Sequence, residues 1–146
     1  MKANELMIGD WVFNKNINKP MQVYPMMFSQ MFRQRSDATT EDYNIFPIPL
    51  TSEILEANGW EKVAQPGCAN PFHWQMEKYE DNRHDEAYLL YRIKAYETFF
   101  RGMLVTIHYP SVCEPISFRK QIEYVHQFQH ALRDCDIDKE IIVKEE

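Results

Sequence analysis

Ala87-Tyr-Leu-Leu-Tyr-Arg-Ile-Lys-Ala-Tyr96 and, after Gly102, Met103-Leu-Val-Thr-Ile-His-Tyr109 are the stretches that decide the fold. In the first, Leu89, Tyr91, Ile93 and Ala95 take every second place, so a strand lays them on one face. The second is rich in β-branched and aromatic residues and stops at Pro110. Residues 97–101 between them suit a hairpin connection. Upstream, Phe72, Trp74 and Met76 alternate with His73, Gln75 and Glu77, predicting a third strand with one buried face. Glu80-Asp-Asn-Arg-His-Asp-Glu86 reads as a charged loop.

Further toward the N-terminus, Asp10-Trp-Val-Phe13 is a short β-prone run. Turn chemistry follows from Asn14 to Pro20, and Met21-Gln-Val-Tyr24 returns as a partner strand. Met27, Phe28, Met31 and Phe32 then fall on one face of a helix. Arg33 and Arg35 come next, before a polar segment from Ser36 to Asp42. Phe46-Pro-Ile-Pro-Leu50 is extended, because each proline fixes its own φ and biases its predecessor. Thr51 or Ser52 offers a helix cap. Gly59 supplies the left-handed residue after the helix, with Leu55 and Trp60 closing the end hydrophobically.

Ile122 to Cys135 carries the second helix, with Val125, Phe128, Leu132 and Cys135 as its buried stripe. Glu140-Ile-Ile-Val143 suggests a last edge strand. The sum is one α+β domain over residues 1–146: a mostly antiparallel β-sheet with two helices, at about 52–58 and 121–134, packed on it. Residues 1–45 either form a small β-rich N-terminal lobe or join the main sheet.

Composition narrows the function classes. At 45% hydrophobic and 14% aromatic, 146 residues hold ample material for a packed core. The formal charge of −6 argues against a general nucleic-acid binder, which needs a clustered basic surface. The opening residues are polar and acidic where a secretory signal needs an apolar run. No stretch approaches the roughly 18 apolar residues of a membrane span. Cys68, Cys113 and Cys135 are odd in number and widely spaced, which suits free thiols in a reducing compartment. The expectation is a cytoplasmic protein, without membrane contact or cofactor.

Candidate chemistry is sparse. His126 and His130 stand one helical turn apart, near enough for both rings to reach one metal ion. Gln127 occupies the place that a metalloprotease helix gives to glutamate, and His84, Asp85, His108 and Cys113 are scattered as further ligands. No serine sits in a nucleophile elbow, and the isolated glycines form no phosphate loop. Asp134-Cys-Asp-Ile-Asp138 lacks the glycine turn and terminal glutamate of a calcium loop. On the binding side, Met27, Phe28, Met31 and Phe32 make an adaptable apolar stripe, with Arg33 and Arg35 beside it as anion anchors. The polar face of the last helix presents His126, Gln127 and His130.

Three segments together resemble a family of small uncharacterised proteins from Bacteroidetes genomes and their mobile elements or phages. They are Met1-Lys-Ala-Asn-Glu-Leu-Met-Ile-Gly-Asp-Trp-Val12, Pro47-Ile-Pro-Leu-Thr-Ser-Glu-Ile-Leu-Glu-Ala-Asn-Gly-Trp-Glu-Lys62 and Tyr124-Val-His-Gln-Phe-Gln129. The resemblance implies a shared fold and transfers no catalytic residue. His126, Gln127 and Gln129 match the family pattern and are first candidates for a shared role. His130-Ala131 stands where the family has Asn-Leu, which sets the histidine pair outside that pattern. Residues 65–118 match poorly. The functional expectation is a non-enzymatic interaction or accessory module of a mobile element or prophage, acting through a protein partner. The alternative is a small metal-dependent protein or enzyme using His126 and His130.

Overall fold

The computed structural model describes residues 1–32, 39–67, 71–81, 87–98, 101–109 and 116–144. Two antiparallel sheets organise the chain. The N-terminal sheet has the order β2-β1-β3, from β1 (Trp11–Asn14), β2 (Lys19–Gln22) and β3 (Ile45–Pro47). Between β1 and β2, Asn14 Oδ1 accepts from Asn16 N at 2.9 Å, and Asn18 takes φ 53°, a conformation asparagine tolerates. Helix α1 (Pro25–Phe32) follows, with proline at its first position, where a missing N–H costs nothing. Its Met27 and Met31 close a small core with Ala3, Leu6, Val12, Val23 and Ile45.

The larger sheet is a five-stranded meander in chain order: β4 (Glu61–Ala64), β5 (Phe72–Asp81), β6 (Ala87–Glu97), β7 (Met103–Tyr109) and β8 (Ile116–Ile122). Burial alternates along the central strands, with Tyr91, Ile93 and Ala95 of β6 and Met103, Val105 and Ile107 of β7 turned inward. Those side chains share the main core with Leu55 of α2 (Ser52–Ala57) and with Val125, Phe128 and Leu132 of α3 (Val125–Asp134). This is the α+β architecture that the strand periodicity predicts. Among the described residues no helix is long and apolar enough to cross a membrane.

The end chemistry of α2 follows its sequence. Thr51 Oγ1 accepts from Ile54 N at 3.4 Å. Gly59, at φ +97°, lets its own N–H reach Glu56 O and the N–H of Trp60 reach Leu55 O at 3.0 Å. Leu55 and Trp60 are both buried, which seals the helix end hydrophobically.

Elsewhere the structure corrects the reading. The last helix starts at Val125 rather than 121, because residues 116–122 pair with β7 as an additional strand, Ile122 opposite Met103. Gln127 fixes the start: its Oε1 accepts from the N–H groups of Glu123 and Tyr124 at 3.0 and 3.2 Å. Residues 140–143 are not a strand. Ile142 instead exchanges two backbone bonds with the side-chain amide of Asn58, at 2.8 and 2.9 Å, and Ile141 is buried. On β5, Phe72 is 39% exposed and lies under Lys62 Nζ, while His73, expected on the polar face, is buried against Tyr96. Cys135 is a buried free thiol, and burial pushes its pKa up; Cys68 and Cys113 lie outside the described residues.

Candidate functional site

The three segments that carry the resemblance meet at one junction. Leu50 N donates to Glu123 O at 2.9 Å and Val125 N to Ile48 O at 2.8 Å, so the extended Pro-Ile-Pro-Leu run docks on the start of α3. Gln129, one turn further on, bridges to the N-terminal sheet: its Oε1 accepts from Trp11 N at 2.9 Å and its Nε2 donates to Gly9 O at 3.1 Å. Trp11 Nε1 donates to Ile141 O at 2.6 Å and ties in the C-terminal segment. Gln127 and Gln129 thus serve backbone groups that would otherwise be left unpaired.

Beside them sits a charged cluster. Asp10 is fully buried, and its Oδ2 accepts from Met7 N at 2.7 Å and lies 2.6 Å from His130 Nε2. Arg133 Nη2 stands 3.8 Å from Asp10 Oδ1, an oxygen without a hydrogen bond among the described residues. His130 and Arg133 are on one face of α3, so the helix supplies the two side-chain partners of the buried carboxylate.

His126 behaves differently from the solvent-facing role its helix position suggested. It is 2% exposed, stacks on Tyr124 at a ring separation of 5.8 Å, and meets the edge of His130 at 5.8 Å. Burial drives its pKa down to about 4, opposed by the Asp10 carboxylate and reinforced by His130. Its Nδ1 is buried without a hydrogen-bond partner among the described residues. The histidine pair gains no third ligand: among the described residues, no group of three or more His, Cys, Asp or Glu side chains is arranged to hold a metal ion.

The room around these groups is small. The pocket that His130 lines, between α3 and β8, encloses about 90 Å³, below the ~300–1,000 Å³ typical of ligand pockets. A larger concavity of about 960 Å³ lies elsewhere, between the β1–β2 hairpin and α2; it is lined by Phe13, Ile17, Ile48, Ile54 and Val143 and holds no histidine or cysteine.

The apolar stripe is also redistributed. Met27 and Met31 are buried, at 5% and 2% exposure, because the N-terminal sheet needs them as its core; Phe28 is half-buried against the same cluster. Arg33, Arg35 and the side chain of Phe32 lie outside the described residues. Four of the exposed apolar side chains lie near this part of the chain: Met7, Ile8, Tyr24 and Met26, at 46, 59, 44 and 63%; Ile17, Phe72, Tyr79 and Ile142 are exposed elsewhere. Gly9 N donates to Val23 O and Val23 N to Asp10 O, which sets the 7–10 turn beside the entrance to α1. Helical spacing puts Met27 on the buried face of α1 and leaves Met26 off it. The adjacency of Met7-Ile8 to a turn was the signal that they stay outside, since a turn tip has no core to face.

No known family profile, curated protein or solved structure matches the chain.

Proposed function

We propose that this protein is a non-enzymatic interaction module of the cytoplasm, belonging to a mobile element or prophage and acting through a protein partner. The observation that carries the reading is the exposure of Met7, Ile8, Tyr24 and Met26 close to Met27 and Met31, which are core. Contiguous exposed apolar surface marks interaction sites, whereas single exposed side chains do not. Methionine suits such a surface, being flexible and polarisable. Asp10, His130, Gln129 and Arg133 support it from beneath, holding the turn that presents Met7 and Ile8 against α3. Support for the mobile-element setting comes from the resemblance of residues 1–12, 47–62 and 124–129, which converge on this junction.

The test is affinity capture from nuclease-treated host lysate with wild-type protein and with Ile8→Asp/Met26→Asp. A protein retained by the wild type and lost by the variant supports the reading. Identical retained sets, or a set that disappears on nuclease treatment, would overturn it.

A further inference from the structure

We propose that strand β8, with α3 alongside, captures an extended acidic peptide segment by strand addition. This site is separate from Met7, Ile8, Tyr24 and Met26, and three observations carry it.

First, β8 is the last strand of the sheet and runs for seven residues, Ile116–Ile122, paired only with β7 among the described residues. In an antiparallel ladder alternate residues turn their N–H and C=O groups away from the partner strand, so an edge of this length offers a row of free pairing groups. The opposite edge, β4, has four residues and offers less.

Second, one face of β8, at this edge strand, is half of a groove. Phe118, Lys120 and Ile122 line it from the strand, and Gln127, His130 and Asp134 line it from one face of α3. A segment lying at the usual inter-strand distance of about 4.8 Å from β8 would send every second side chain toward that helix face. The 90 Å³ between strand and helix suits a single inward side chain and not a folded ligand.

Third, the strand carries cations for an acidic guest, while Asp134 puts one carboxylate on the helix side of the groove. Arg119 pairs with Thr106 and Lys120 with Val105, so consecutive cations lie on opposite faces of the edge, and both are exposed. A second copy of β8 laid antiparallel would bring cation against cation, which repels self-pairing. An incoming strand with carboxylates on either face is paired on both. The same two residues therefore exclude the chain's own edge and select an acidic one. The protein as a whole carries −6, so a cationic edge is a local departure from its charge.

The experiment uses the full chain and a fluorescein-labelled peptide, Val-Glu-Glu-Val-Glu-Glu-Val, read by anisotropy and by backbone amide shifts. Saturable binding with shifts concentrated in residues 116–122 is expected. Arg119→Glu/Lys120→Glu, two exposed sites, should weaken binding at least tenfold. N-methylation of two adjacent central peptide residues should abolish it, because the charges remain and the strand donors are lost. Ile8→Asp/Met26→Asp should bind the peptide normally, which separates this site from the proposed partner surface. Absence of saturable binding would overturn the proposal. So would equal affinity for the charge-reversed protein or the methylated peptide, or displacement of the peptide by a single-stranded oligonucleotide and not by unlabelled peptide.

Discussion

His130 Nε2 stands 2.6 Å from Asp10 Oδ2, a contact across 120 positions of sequence that joins α3 to the N-terminal sheet. Asp10 has no solvent to fall back on, so its partners decide the energy of the junction. His130→Ala leaves the carboxylate with Met7 N–H and a guanidinium 3.8 Å away, and should cost about 2 kcal/mol. Asp10→Ala should cost a similar amount. The double variant should be less destabilised than the two costs added, because each single change strands the other group. Urea midpoints at pH 7 measure this; strictly additive losses would show that the pair is not coupled.

His126 makes the fold acid-sensitive. Its folded pKa, about 4, lies below the ordinary histidine value of 6.5, so the folded state prefers the neutral ring and the unfolded chain binds the proton first. The stability tied to the neutral ring is complete above pH 6.5 and is lost progressively as pH falls from 6.5 to 4. The loss over that window is on the order of 3 kcal/mol. His126→Leu should flatten the stability profile between those values. An NMR titration of the wild-type ring with a midpoint near 6.5 would contradict the burial argument.

The buried stripe of the N-terminal sheet separates Met31 from Met26, five positions apart in α1 but opposite in environment. Met31 is 2% exposed and Met26 63%. Met31→Asp puts a carboxylate into an apolar core and should unfold the N-terminal sheet, with a loss above ~3 kcal/mol. Met26→Asp should change stability by less than ~0.5 kcal/mol. Thermal unfolding of both variants gives the comparison, and a destabilised Met26→Asp would place that side chain in the core.

Local chemistry was legible where one segment settles its own structure. The Leu55, Gly59 and Trp60 helix end and the alternation of Tyr91, Ile93 and Ala95 depend on near neighbours, and both are visible in the residues alone. The site was not legible, because it is made of pairs far apart: Asp10 with His130, Trp11 with Gln129, Asn58 with Ile142. A histidine at helical spacing looks the same whether it faces solvent, a metal or a buried aspartate. Strand β8 was hidden for a related reason. Its inward places hold Phe118, Lys120 and Ile122, so a lysine interrupts the apolar alternation where the edge meets the groove.

Gly102 joins this local chemistry to the long-range pairing. It holds φ +81°, and a Cβ there would run into the carbonyl oxygen of Ile122 and come within 2.5 Å of Glu123 Cα. Both obstacles are backbone, at the point where β8 ends and the chain turns into α3, so relief requires the strands to part. Gly102→Ala should therefore cost well beyond the ~1 kcal/mol of an ordinary glycine replacement, on the order of 3 kcal/mol or more. Gly59→Ala is the comparison. Its φ is also positive, +97°, but the nearest obstacle is the terminal methyl of Met76 at 3.1 Å, which can swing aside. Its cost should stay near the backbone penalty, about 1–2 kcal/mol. Urea midpoints of the two variants should rank Gly102→Ala well below Gly59→Ala, with amide shifts in β7 and β8 only for the former; equal midpoints would mean that the β7–β8 junction yields without loss.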